Sequence, residues 1–134
     1  MTGPQTAPRI LLIDDDEELV AALSCALEHA GYAVRCAGNG AQGVRMAKED
    51  RPELILMDLM MPVKKGFESC TEIWQDESLS DVPILVLTAF GQDIGETYGL
   101  TREHACGKAV DFLEKPVEIN VLLDRIAKLI TSSR

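Results

Sequence analysis

The chain has 134 residues, 46% hydrophobic and 26% charged, which suits one compact domain, leaves no room for a second folded module, and excludes global disorder. A net charge of −9 repels polyanions, so direct nucleic-acid binding by this surface is not expected. No apolar run approaches the roughly 18 residues of a membrane span and the first residues lack a secretory signal, which predicts a cytoplasmic protein without membrane association.

Residues 1–8 carry two prolines and a glycine with no apolar period, and residues 131–134 are polar. Both are expected to be loose tails around a single domain at 9–130. Within it, five short apolar, β-rich runs at 9–13, 32–36, 54–57, 84–87 and 110–113 predict strands. The first helix is predicted over 18–30, where Leu19, Ala22, Leu23, Ala26 and Leu27 recur with helical spacing and Gly31 supplies the stop. A second helix is predicted over 41–49 with Asn39 as its N-cap, and a third over 66–75. The run Ile84-Leu85-Val86-Leu87 is apolar on both faces, as a parallel strand covered on two sides requires. A last helix is predicted over 117–130, with Val117, Val121, Leu122, Ile126, Leu129 and Ile130 on its inner face.

Five alternations of strand and helix predict an α/β doubly wound (βα)₅ fold, a parallel sheet with helices on both faces. Such sheets carry their sites beyond the carboxyl ends of the strands. There the sequence places Asp14-Asp15 after the first strand, Asp58 after the third, Thr88 after the fourth and Lys115-Pro116 after the fifth. Three gathered carboxylates repel one another unless a cation joins them, and hard oxygen donors without histidine or thiol select Mg²⁺. Mg²⁺ keeps positions for water and phosphate, Thr88 offers a hydroxyl and Lys115 a point charge, so the set suits phosphoryl transfer.

The segments Ile10-Leu11-Leu12-Ile13-Asp14-Asp15-Asp16, Leu54-Ile55-Leu56-Met57-Asp58-Leu59-Met60-Met61-Pro62, Leu87-Thr88-Ala89 and Phe112-Leu113-Glu114-Lys115-Pro116 resemble the receiver domains of two-component response regulators, over about residues 9–130. The resemblance implies a flavodoxin-like sheet in the order 2-1-3-4-5. It implies that Asp58 is the phosphoacceptor, with Thr88 and Lys115 contacting the phosphoryl group. Asp14, Asp15, Asp58 and the main-chain carbonyl of Met60 are then the ligands of Mg²⁺, for which Mn²⁺ or Ca²⁺ can substitute. Thr88 and Phe112 become the switch pair, Gly66 the glycine that opens the third helix, and Pro116 the proline after a cis peptide. The donor implied is a histidine kinase or phosphotransfer protein, with acetyl phosphate as a small substitute. Phosphorylation would switch the face made by the fourth helix, fifth strand and fifth helix, which meets a partner or output module and through which the family also forms homodimers. The domain is expected to catalyse only its own phosphorylation and dephosphorylation, not the turnover of an external substrate.

Some features depart from the family pattern. From Thr88 to Lys115 there are 27 positions, more than the family carries, and Gly91, Gly95, Gly99 and Gly107 each weaken a helix by roughly 1 kcal/mol, so altered output geometry is expected there. Lys64-Lys65 bring positive charge to the loop after Asp58. Met60 and Phe90, both large and apolar, flank the path of attacking water, which predicts slow autodephosphorylation.

Asp14 and Asp15 could serve only to cap the first helix, as Asp16 and Glu17 are expected to do. A calcium loop at Asp14-x-Asp16-x-Glu18 lacks its sixth-position glycine, where Leu19 stands. A phosphatase of the haloacid dehalogenase type lacks its motif threonine or valine and room for a cap domain. Cys25, Cys36, Cys70 and Cys106 are widely spaced, which predicts buried free thiols rather than zinc ligands or disulfides. His29 and His104 are expected on exposed helix positions.

Overall fold

The five apolar runs form five strands. In a computed structural model of the chain, residues 7–59, 76–79, 81–88, 110–114 and 117–132 are described, with the backbone alone for 58, 59, 88, 110–112, 114 and 132. The elements in chain order are β1 (Arg9–Ile13), α1 (Glu17–His29), β2 (Ala33–Ala37), α2 (Gly40–Glu49), β3 (Leu54–Leu59), β4 (Ile84–Thr88), β5 (Val110–Glu114) and a C-terminal helix α3 (Ile119–Ser132). The helix expected at 66–75 and the glycine-bearing segment between β4 and β5 lie outside the described residues.

All neighbouring strands pair in parallel, in the order β2-β1-β3-β4-β5, so the expected doubly wound sheet is present. Strand alternation divides the core into two layers. On one face Leu11, Ile13, Ile55, Met57, Ile84 and Val86 pack with Val44 and Ala47 of α2. On the other, Ile10, Leu12, Leu54, Leu56, Leu85 and Leu87 meet Leu27 of α1 and Leu122, Ile126 and Ile130 of α3. Each fully buried Leu or Ile contributes about 1.5–3 kcal/mol of transfer free energy, and the three central strands supply most of them.

Local chemistry sets the helix ends. Asp16 is the N-cap of α1, its carboxylate accepting the amides of Glu18 and Leu19. At the other end Gly31 has φ +102, in the left-handed region that favours glycine. It donates its N–H to the Glu28 carbonyl at 3.0 Å, while Tyr32 N–H reaches the Leu27 carbonyl at 3.1 Å, the paired bonds of a Schellman stop. The predicted cap of α2 is also present: Asn39 Oδ1 accepts the Gln42 amide at 2.8 Å, and Gln42 Oε1 in return accepts the Gly38 amide at 2.9 Å.

Three expectations about packing are corrected. The inner face of α1 is centred on Val20, Leu23 and Leu27, which turns Ala22 outward. Val121, expected on the inner face of the last helix, is 44% exposed, because burial follows Leu122, Ile126 and Ile130 at four-residue steps and Val121 sits off that stripe. Cys25 and Cys36 are free but exposed rather than buried. Cys25 stands two residues from Leu23 and from Leu27, on the opposite side of α1, and Cys36 lies on β2, the sheet's edge strand. His29 is exposed, as expected.

Ion pairs cluster at the amino edge of the sheet. Arg9 pairs with Asp50 and Glu53, Arg35 with Asp50 at 3.2 Å, Lys48 with Asp76 at 3.5 Å, and Arg51 with Asp81. These side chains are partly to largely in water, so each pair contributes little on its own.

Candidate functional site

The sheet register brings the predicted residues to one edge. Ile13 of β1 and Met57 of β3 are partners, so Asp14 and Asp58 follow at the same level on neighbouring strands, which run about 4.8 Å apart in a sheet. Asp58 pairs with Leu87, Leu59 with Thr88, and Thr88 with Glu114. Thr88 therefore ends β4 one step beyond Asp58, and Lys115 follows Glu114 directly in the sequence. With the order 2-1-3-4-5, β1 and β3 flank the point where the chain reverses its direction of winding, the position at which such sheets bind ligands.

The three consecutive acids at the end of β1 take different roles. Asp14 is only 6% exposed. Its N–H continues the ladder by donating to the Ala37 carbonyl at 3.0 Å, and its Oδ1 accepts the Asp16 amide at 3.1 Å. Asp15 is exposed. Asp16 is committed to the helix cap, so capping does not account for Asp14, whose carboxylate is buried at the strand end. A depression of about 300 Å³ opens here, bordered by Asp14, Asp15, Glu17, Cys36, Gly38 and Gln42. The Cys36 thiol and the Ser24 hydroxyl lie 3.2 Å apart in a hydrogen bond.

Asp14 and Asp15 offer hard oxygen donors, a chemistry that fits Mg²⁺ and not a thiolate- or imidazole-seeking metal. Among the described residues no three His, Cys, Asp or Glu side chains form a metal-binding group; the third expected carboxylate, Asp58, is located through its backbone. Thr88 and Phe112 are likewise located by backbone, on β4 and β5. Met60, Phe90, Lys115, Gly66, Pro116, Lys64 and Lys65 lie outside the described residues, as does His104.

Sequence reasoning missed the part played by the end of β2 and the turn that leads into α2. Nothing in the order of residues announces that the Ala37 carbonyl holds the Asp14 amide, because that bond depends on the parallel register of β1 and β2. The one available signal was the Asn39/Gln42 spacing, which fixes where α2 begins.

No helix among the described residues is long and apolar enough to cross a membrane. A family model described as the response regulator receiver domain matches residues 10–127. The DNA-binding dual master transcriptional regulator RpaA of Synechocystis sp. is 39% identical over 123 residues, covering 92% of this chain and 49% of its own length; the chain thus spans about half of that relative. Protein PilH of Pseudomonas aeruginosa is 33% identical over 118 residues, covering 88% of this chain and 93% of its own. Among solved structures, the receiver domain of a sensor histidine kinase from Pseudomonas aeruginosa PAO1, described with a magnesium ion coordinated in the active site cleft, aligns with a TM-score of 0.77 at 30% identity over 94% of this chain and 99% of that one. The sheet order, the acids at the ends of β1 and β3 and these matches agree, and the chain belongs to the response regulator receiver domain family of two-component signalling.

Proposed function

We propose that the chain accepts a phosphoryl group on Asp58 and uses the change to switch a protein-binding face. The observation that carries this reading is the Ile13–Met57 pairing, which sets Asp14 and Asp58 at one level on adjacent strands at the winding reversal. Asp14, Asp15, Asp58 and the main-chain carbonyl of Met60 would hold Mg²⁺, which when bound offsets the charge of the carboxylates and of the incoming phosphoryl oxygens.

Asp58 supplies the nucleophilic carboxylate oxygen. In transfer from phosphohistidine, its O–P bond forms as the P–N bond breaks, and the imidazole nitrogen leaves with the electron pair. Lys115 places an ammonium charge on the phosphoryl oxygens, and the Thr88 hydroxyl donates to one of them. The acyl phosphate is later hydrolysed by water, past Met60 and Phe90. Thr88 and Phe112, on neighbouring strands β4 and β5, report the modification to the face of β5 and the helices beside it.

The donor is a histidine kinase or phosphotransfer protein in the cytoplasm, and the signal passes to a protein partner or an output module through that face, through which the chain also forms homodimers. The test is phosphoryl uptake from acetyl phosphate followed by intact mass. One phosphoryl group is expected on the wild type with Mg²⁺, and none without metal or in Asp58→Asn. Uptake that survives Asp58→Asn, or that ignores the metal, overturns the assignment.

A further inference from the structure

We infer that the first turn of α2 positions the Asp14 carboxylate for cation binding, and that the absence of a side chain at Gly43 sets that position. The inference rests on the Mg²⁺ site proposed above. It assigns a positioning role to a helix that contributes no ligand.

Gly43 is buried against the end of β1, and a Cβ placed on it would lie 2.4 Å from Ile13 Cδ1 and 2.7 Å from Ile13 Cγ1. Carbon atoms do not pack at those separations, so with the Ile13 side chain in this conformation α2 lies too close to β1 for a Cβ at position 43. Ile13 is the last residue of β1 and immediately precedes Asp14. It is 4% exposed and packed with Ala37, Val44, Ala47 and Met57, and its backbone is held on both sides, by Ala37 of β2 and Met57 of β3. It has little space into which to retreat.

A second tie runs through hydrogen bonds. The Ala37 carbonyl accepts the Asp14 amide, the next amide, from Gly38, is held by Gln42 Oε1, and Gln42 N–H is held by Asn39 Oδ1. Residues 37–43 therefore grip residues 13 and 14 by packing on one side and by the backbone on the other. A group added at Gly43 must move either Ile13 or the helix. Displacing the Ile13 side chain, closely packed as it is, strains the strand end that carries Asp14, and moving the helix pulls through Gln42 on the Gly38 amide, next to the Ala37 carbonyl that holds Asp14. Ile13→Val removes Cδ1, the atom of closest approach, and leaves Cγ1 at 2.7 Å, so with Gly43→Ala it conserves the buried volume and relieves the overlap in part.

The test is Mg²⁺ titration of the full chain by calorimetry, well below each variant's Tm. Groups that orient metal ligands from outside the coordination shell typically cost about 10–100-fold in affinity when altered. Because the effect here passes through one further residue, Gly43→Ala should weaken Mg²⁺ binding about three- to tenfold, and adding Ile13→Val should recover about half or more of that loss. Ile126→Val, which loosens the core on the other side of the sheet, is the stability control and should leave Mg²⁺ affinity unchanged. Gln42→Ala, which releases the Gly38 amide without touching the core, should weaken binding about two- to threefold and decides the matter if Gly43→Ala does not fold.

Wild-type affinity in Gly43→Ala, or equal weakening in Ile126→Val, overturns the positioning role. If Gly43→Ala does not fold, wild-type affinity in Gln42→Ala overturns it. A wild-type chain that takes up no Mg²⁺ overturns the metal site itself, a result distinct from the other two.

Discussion

The carboxylate of Asp14 accepts the backbone N–H of Asp16 at 3.1 Å, and Asp16 in turn directs its own carboxylate onto the amides of Glu18 and Leu19 at 3.1 and 3.2 Å. Two acids that look alike in the sequence are thus separated into one buried at the strand end and one that serves the helix. Losing an aspartate N-cap costs about 1 kcal/mol. Asp16→Ala should therefore lower Tm by about 3–6 °C in a thermal melt while phosphoryl uptake stays at the wild-type level.

Asp14→Asn should behave in the opposite way. Its amide oxygen can still accept the Asp16 N–H, but one negative charge leaves a crowded edge. Without metal, the variant should melt at or above the wild-type Tm, because like-charge repulsion falls. Saturating Mg²⁺ should raise the wild-type Tm, by up to about 2.7 kcal/mol of added stability at a hundred times Kd, and leave Asp14→Asn almost unmoved. Thermal melts with and without Mg²⁺ check both halves.

The strands and the site edge were legible because buried parallel strands read as short apolar runs, and because an acid directly after such a run, as at Asp14 and Asp58, has few structural uses. Boundaries shifted by one or two residues where the ladder outran the apolar run. β3 extends through Asp58 to Leu59 and β4 to Thr88, since backbone pairing does not require an apolar side chain. The exposure of Val121, Cys25 and Cys36 was not legible. It depends on which side of each helix meets the sheet and on β2 lying at the edge, and both follow from the assembled fold rather than from local pattern. The Gly43–Ile13 contact belongs to the same class.

Acid should weaken the fold in part through two carboxyls remote from the site. Hydrogen bonding from the Arg51 guanidinium holds the Asp81 carboxyl below its ordinary value of 3.8. The Ser78 hydroxyl, then the Ser78 amide, do the same for Asp76, with help from Lys48. A depressed folded value means that the contribution is fully present above the unfolded value near 3.8 and is lost as pH falls through the lower folded value. Urea midpoints should show Asp81→Asn slightly below wild type at pH 7, with the gap closing below about pH 3.8. The gap should be small because the Asp81 side chain is 69% exposed.

The lifetime of the acyl phosphate should be set by the residues that flank the water's approach. Met60 and Phe90, the residues proposed to flank it, are large and apolar, so spontaneous loss of the phosphoryl group should be slow. Met60→Asn, which can hydrogen-bond a water beside the site, should shorten the half-life several-fold, on the order of 1 kcal/mol in barrier. The decay of the phosphorylated species, followed by mass after removal of the donor, gives the comparison.

The most direct test of the central claim is to locate the modified residue by its chemistry. The chain is phosphorylated with acetyl phosphate and Mg²⁺ and treated with hydroxylamine, which attacks an acyl phosphate to release phosphate and leave a hydroxamate, and is then sequenced by mass spectrometry. The account predicts a single hydroxamate, at Asp58. A hydroxamate at Asp14 or Asp15 instead, or a hydroxylamine-resistant phosphate on Thr88, would contradict it.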